Sequence, residues 1–135
     1  MNHAANLHAD SQFLRALSLA PFVAVAWAEP GPGAGERSLV MSWAGEIGLR
    51  TPDPGHRLLE HWLTEQPDIE LIDSWKRHYA DRLSRSLSHE ARREFKRHVM
   101  RRAQTVLGAA SGRPAGVASS PEEQAVIAKI EAALC

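Results

Sequence analysis

The sequence predicts an all-α fold, a single compact bundle of about six helices, and three observations carry that prediction. Apolar residues recur at three- and four-residue steps, as in Leu39, Val40, Trp43, Ala44 and Ile47, which puts them on one stripe of a helix. Period-2 alternation, the mark of a half-buried strand, is almost absent. Proline, glycine and capping residues punctuate the chain at regular intervals. With 135 residues, 44% hydrophobic and 24% charged, the chain suffices for one domain with one hydrophobic core. A flexible N-terminus over 1–10 and one helical domain over 11–135 are expected.

Asp10-Ser11 caps a first helix bearing Phe13, Leu14 and Leu17, and Pro21 either kinks it or opens a second segment bearing Phe22, Val25 and Ala26. That segment is expected to end near Glu29. Pro30-Gly31-Pro32-Gly33-Ala34-Gly35 cannot continue a helix, so the next starts by Glu36 and closes at Gly48. Pro52-Asp53-Pro54-Gly55 reads as a connection. Leu58, Leu59, Trp62 and Leu63 then form a short amphipathic helix stopped by Gln66-Pro67. Pro67 is placed in the first turn of the following helix, which runs to about Leu87 with Ile69, Ile72, Trp75, Tyr79 and Leu83 inward. Asp73 with Arg77 and Asp81 with Arg85 are expected as pairs four apart on its wet side. Ser88 caps a long helix whose seam is Ala91, Phe95, Val99, Ala103, Val106 and Ala110. Residues 111–120 are a loop, and Ser120-Pro121-Glu122-Glu123 is a capping box that opens the last helix, with Val126, Ile127, Ile130 and Leu134 inward.

The stretch from Ala24 to Val40 decides the compartment. Ala26-Trp27-Ala28 has the small-x-small form of an export cleavage site, and cleavage after Ala28 is the alternative to a cytoplasmic chain. Asp10 set against Arg15 makes a poor positive leader, and Ser18 and Pro21 interrupt the apolar run, so the run reads as interior helix. At thirteen residues it is also short of the roughly 20 needed to span a bilayer. The only cysteine is Cys135, which rules out an intramolecular disulfide and suits a reducing compartment. Zero formal net charge excludes a global attraction to nucleic acid or anionic lipid.

Ala26-Trp27-Ala28-Glu29, Glu36-Arg37, Leu58-Leu59-Glu60-x-Trp62-Leu63 and Leu87-Ser88-x-Glu90 together resemble the tellurite-resistance TerB-like family, over nearly all of residues 12–134. The resemblance implies a small intracellular all-helical domain linked to stress response, with an "A-W-A-D-G, five more residues, E" turn between its first helices. It also implies divalent-cation binding at the acidic turns, carried here by Glu29 and Glu36. Two departures weaken that chemistry: glutamate stands for the shorter aspartate, and Pro30 for the glycine that lets a tight loop wrap a hard cation needing six or more oxygens. Before Glu123 the chain has no Asp-Gly pair, so a second carboxylate set is not expected there. Without a metal, Glu36 reads as a first-turn glutamate facing the helix dipole.

Other chemistry finds less support. The seven histidines include no His-x-x-x-His pair, and His56 and His61 fall about 140° apart around a helix, so they read as surface or rim residues. Gly31-x-Gly33-x-Gly35 lacks the strand that a nucleotide-binding turn requires, and no nucleophile elbow or P-loop occurs. An enzyme is not expected. Trp27, Trp43, Trp62 and Trp75 fall on apolar stripes as core anchors, with an apolar ligand groove between helices as the other reading. Arg92, Arg93, Lys96, Arg97 and Arg101 spread over half of one helix, with Arg102 inside its seam. Arg93, Lys96, Arg97 and Arg101 are the candidate contacts for an acidic partner or nucleic acid. The face carries no aromatic side chains and matches no nucleic-acid module, so nucleic acid is not the expected partner. Arg102 is expected to snorkel or to pair with a carboxylate. The sequence therefore points to a non-catalytic helical module that senses a metal or binds a protein partner. The alternative is a basic-faced adaptor acting through residues 92–102.

Overall fold

The computed structural model describes residues 11–28, 31–68, 70–109 and 121–134, and every described element is helical. In chain order these are α1 (11–17), α2 (Ala20–Ala26), α3 (Ala34–Glu46), α4 (Pro54–Thr64), α5 (Leu71–Trp75), a π-helical turn (Lys76–Ala80), α6 (Asp81–Ser86), α7 (His89–Ala109) and α8 (Pro121–Ala133). No helix among the described residues is long and apolar enough to cross a membrane.

Helix α2 is the axis of the bundle, in contact with α3, α4, α5, α7 and α8. It is apolar all round, and six of its seven residues are buried, Phe22 and Val25 among them. A helix without a polar face can only sit inside. Pro21 opens this helix rather than kinking the one before: α1 stops, Ser18 donates from Oγ to the Arg15 carbonyl at 2.6 Å, and the proline occupies the first turn, where its missing N–H costs nothing. The helix stops at Ala26, short of Glu29.

Three tryptophans anchor the core as expected, Trp43, Trp62 and Trp75 all being buried. Phe22 meets the edge of Trp43 at 5.1 Å between ring centroids, a geometry that aromatic quadrupoles favour. Trp27 follows α2 and is half-buried; its indole N–H donates to the Trp62 carbonyl at 2.6 Å. That carbonyl lies in the last turn of α4, where the helix leaves acceptors without partners. One side chain thus packs α2 and caps α4.

The end of α3 is a Schellman turn. Gly48 takes φ +85°, its N–H reaching the Gly45 carbonyl at 3.1 Å, while the Leu49 N–H reaches the Ala44 carbonyl at 2.9 Å. The turn folds Leu49 into the core.

Several expectations need correction. Pro54 and Gly55 are the first residues of α4 rather than loop, and Gly55 is buried because its N–H donates to the Gln12 side-chain carbonyl at 2.9 Å. Pro67 does not enter a helix. Residues 66–68 are irregular, and Asp68 caps the next turn by accepting from the Glu70 N–H at 2.9 Å. The helical run from Leu71 to Ser86 carries one π turn, whose i→i+5 register brings Lys76 onto Asp81 at 3.1 Å. Neither expected pair, Asp73 with Arg77 or Asp81 with Arg85, forms, because the inserted residue rotates the partners and Lys76 already holds Asp81. Ser88 caps α7 as expected, accepting from the Ala91 N–H at 3.1 Å, and Val99, Ala103 and Val106 are its buried seam. Residues 1–10, Ile69, Ala110, the 111–120 loop with Ser120, and Cys135 lie outside the described residues.

Candidate functional site

Of the four helices α2, α3, α7 and α8, α7 touches each of the others. The first turn of α3 rests on the last turn of α7 so closely that a Cβ on Gly35 would lie 3.1 Å from the Ala109 carbonyl oxygen. Glu36 and Glu123 each occupy the third position of their helix, α3 and α8. A glutamate there ordinarily curls back to the helix start and stays wet. Here both side chains are buried, Glu36 at 3% and Glu123 at 1% exposure.

Glu36 completes its cap: the Gly33 N–H donates to Oε1 at 2.9 Å. Burial pushes its carboxyl above the ordinary carboxylate range, the Gly33 hydrogen bond pulls it partly back, and the negative charge of Glu123 raises it further. The two carboxylates therefore repel each other across the junction of two helix N-termini. Each terminus offers about half a positive charge, which offsets part of that repulsion.

Glu36 is thus both the first-turn glutamate and a member of a pair. Its partner Glu123 was not expected at a site. The capping box marked Glu123 as a third-position residue. What the sequence did not show is that its helix start converges with that of α3. Glu29 lies outside the described residues. Among the described residues no group of three or more His, Cys, Asp or Glu stands ready for a metal, so Glu36 and Glu123 supply two carboxylates of a hard-cation site and a further oxygen donor must come from elsewhere.

The basic residues of α7 stay outside this junction. Arg93, Arg97 and Arg101 are exposed and Lys96 is half-buried, with Arg97 paired to Glu94 on the same helix. Arg102 turns inward as its place in the seam requires. Its guanidinium lies 4.6 Å from the Trp43 ring centroid and 3.5 Å from the Glu46 carboxylate. Burial and the cationic Arg102 and Arg101 hold His98 below the ordinary imidazole range, against the pull of Glu46. The described histidines are all exposed or half-buried, and His56 and His61 pair with Glu60 and Glu65.

An open cleft of about 360 Å³ lies between α2, α8 and residues 66–72, with Trp27, Leu71, Ile72 and Val126 on its walls and Lys129 at its rim. Of the four tryptophans, read alternatively as walls of an apolar groove, only Trp27 lines this cleft. Comparison with known proteins finds no matching family model, no matching curated protein and no matching solved structure.

Proposed function

We propose that the chain is a non-catalytic helical module, resembling TerB-like stress-response proteins, that responds to a divalent cation at Glu36 and Glu123, with Glu29, the carboxylate the resemblance points to, as a third ligand. The buried pair carries this reading, since two carboxylates withdrawn from water beside each other repel, and a positive charge between them relieves that repulsion. A hard cation supplies that charge, and the ligands are the Glu36 oxygen not engaged by Gly33 together with Glu123. Because α3 and α8 both begin at the site, neutralising it tightens the junction of two helix starts that belong to distant parts of the chain. A partner that reads this junction would see the cation's presence as a change in stability. The burial of α2 supports a chain in which residues 20–26 stay with the folded bundle, and a cytoplasmic location belongs to the same proposal.

Calorimetric titration with calcium, magnesium and zinc tests the reading. We expect heat from at least one cation, lost in Glu36→Gln and in Glu123→Gln and reduced in Glu29→Ala. The same cation at a hundredfold excess over its Kd should stabilise the fold by about 2.7 kcal/mol. Absence of heat from the wild-type chain with all three ions removes the metal reading.

A further inference from the structure

The chain is neutral overall, but its charge is sharply divided. Residues 76–102 hold ten Lys and Arg against three acidic residues, whereas residues 58–75 hold five acidic residues and no Lys or Arg. The two stretches meet where Asp73 lines one surface depression with Lys76 and Arg77, but most of their exposed charge lies toward opposite ends of one helical run. Glu65, Asp68, Glu70 and Asp73 sit at the corner between α4 and α5, all exposed. The helical run from Leu71 to Ser86 then carries the chain about 20 Å to Arg82 and Arg85, also exposed, where α7 begins and continues the basic surface with Arg93 and Arg97.

Among the described residues Glu65 pairs with His61 and Arg97 with Glu94, each on its own helix, and no ion pair joins Glu65, Asp68, Glu70 or Asp73 to Arg82, Arg85, Arg93 or Arg97. Asp68 spends one oxygen on the Glu70 N–H and keeps its charge. An acidic corner and a basic face that form no ion pair with each other in one chain are complementary between two.

We propose that the basic face of α6 and α7 docks the acidic α4–α5 corner of a second copy of this chain. Because the two patches differ, the contact is head-to-tail, and it leaves a free acidic corner on one end of every dimer and a free basic face on the other. Association therefore continues with concentration rather than stopping at two. Exposed ion pairs contribute little singly, so the contact needs several at once and is weak and dependent on salt. The inference makes no use of the buried glutamate pair and stands or falls apart from it.

Light scattering and sedimentation on the full chain test it. At an ionic strength of about 10 mM, where the screening length is about 30 Å, the weight-average mass should climb above 14.9 kDa as concentration rises. At about 1 M salt, where screening falls to about 3 Å, it should return to the monomer value. A corner-reversed variant (Glu65→Lys, Glu70→Lys, Asp73→Lys) and a face-reversed variant (Arg82→Glu, Arg85→Glu, Arg93→Glu) should each be monomeric, with helical circular dichroism showing that they fold. Mixed together they should associate again, because each reversed patch now matches the other. A wild-type chain that stays at 14.9 kDa at low salt overturns the proposal, as does failure of the mixture to associate. Retention of a monomeric wild type on heparin assigns the basic face to a foreign polyanion and also overturns it.

Discussion

Gly55→Ala offers the strongest test of how the N-terminal segment joins the bundle. Gly55 is in the first turn of α4, where a glycine-to-alanine change ordinarily favours the helix by up to about 1 kcal/mol. Here a Cβ would lie 2.7 Å from the Gln12 backbone carbonyl, 2.7 Å from Leu49 Cδ2 and 2.8 Å from Gln12 Oε1. A methyl group forced among these atoms overpacks a filled site, at about 1–3 kcal/mol. Pushing Gln12 away also breaks the buried hydrogen bond from the Gly55 N–H to its Oε1, at about 1–3 kcal/mol more. Set against the helix gain, the net loss is about 1–5 kcal/mol. At about 4 °C per kcal/mol for a chain of this size, the melting midpoint by circular dichroism should fall by about 4–20 °C. Gly108→Ala is the matching control, since a Cβ there meets nothing within 4 Å; it should stabilise α7 by up to about 1 kcal/mol. If Gly55→Ala melts at or above the wild-type temperature, α1 does not pack on the start of α4 and the account of the N-terminal segment fails.

The remaining predictions concern single contacts. With the Glu36 carboxyl raised in the fold, its contribution is fully present below the unfolded value of about 4.5 and is lost as pH rises through the raised value. Glu36→Gln, which keeps an acceptor for Gly33, should therefore gain stability at neutral pH and flatten the pH dependence above 4.5; a mutant with the wild-type slope would refute the pair. Trp27→Phe keeps the ring but strands the Trp62 carbonyl, so denaturant unfolding should show a loss of about 1–2 kcal/mol; a change below about 0.3 kcal/mol would show that water replaces the indole at no cost. Arg102→Ala should lose about 1 kcal/mol, mainly through Trp43. The half-exposed, 3.5 Å pair with Glu46 adds little, so the loss should persist at high salt and Glu46→Gln should be nearly silent.

Much of the fold was legible because helices announce themselves locally. The buried faces of α2, α3, α4 and α7 follow from apolar spacing, except that Ile47, expected on the α3 stripe, caps that helix and is exposed; the starts of α7 and α8 follow from Ser88 and Pro121. What stayed hidden was tertiary. Gly55 beside Pro54 has the composition of a turn, and only the approach of Gln12 and Leu49 from elsewhere in the chain explains why no side chain fits. The π turn leaves no mark in the apolar pattern, yet one added residue moves the partner of Asp81 from Arg85 to Lys76. Glu123 was legible as a capping residue and illegible as a buried one, because local sequence decides which backbone N–H a glutamate can reach and says nothing about which helix starts will meet.

That last distinction bears on why two glutamates are buried at all. A capping glutamate needs only its own helix, and for that purpose exposure to water is cheaper than burial. The chain places both against the same junction, where each weakens the other, although glutamine at either position would keep a neutral acceptor without the repulsion. The proposed cation response gives a reason for keeping two acids at the point where α3 and α8 begin. The same electrostatics ties the two readings of the pair together: the proton that relieves the repulsion at low pH occupies the place a cation would take at higher pH, so a cation bound there must compete with protons and bind more weakly as the solution is acidified.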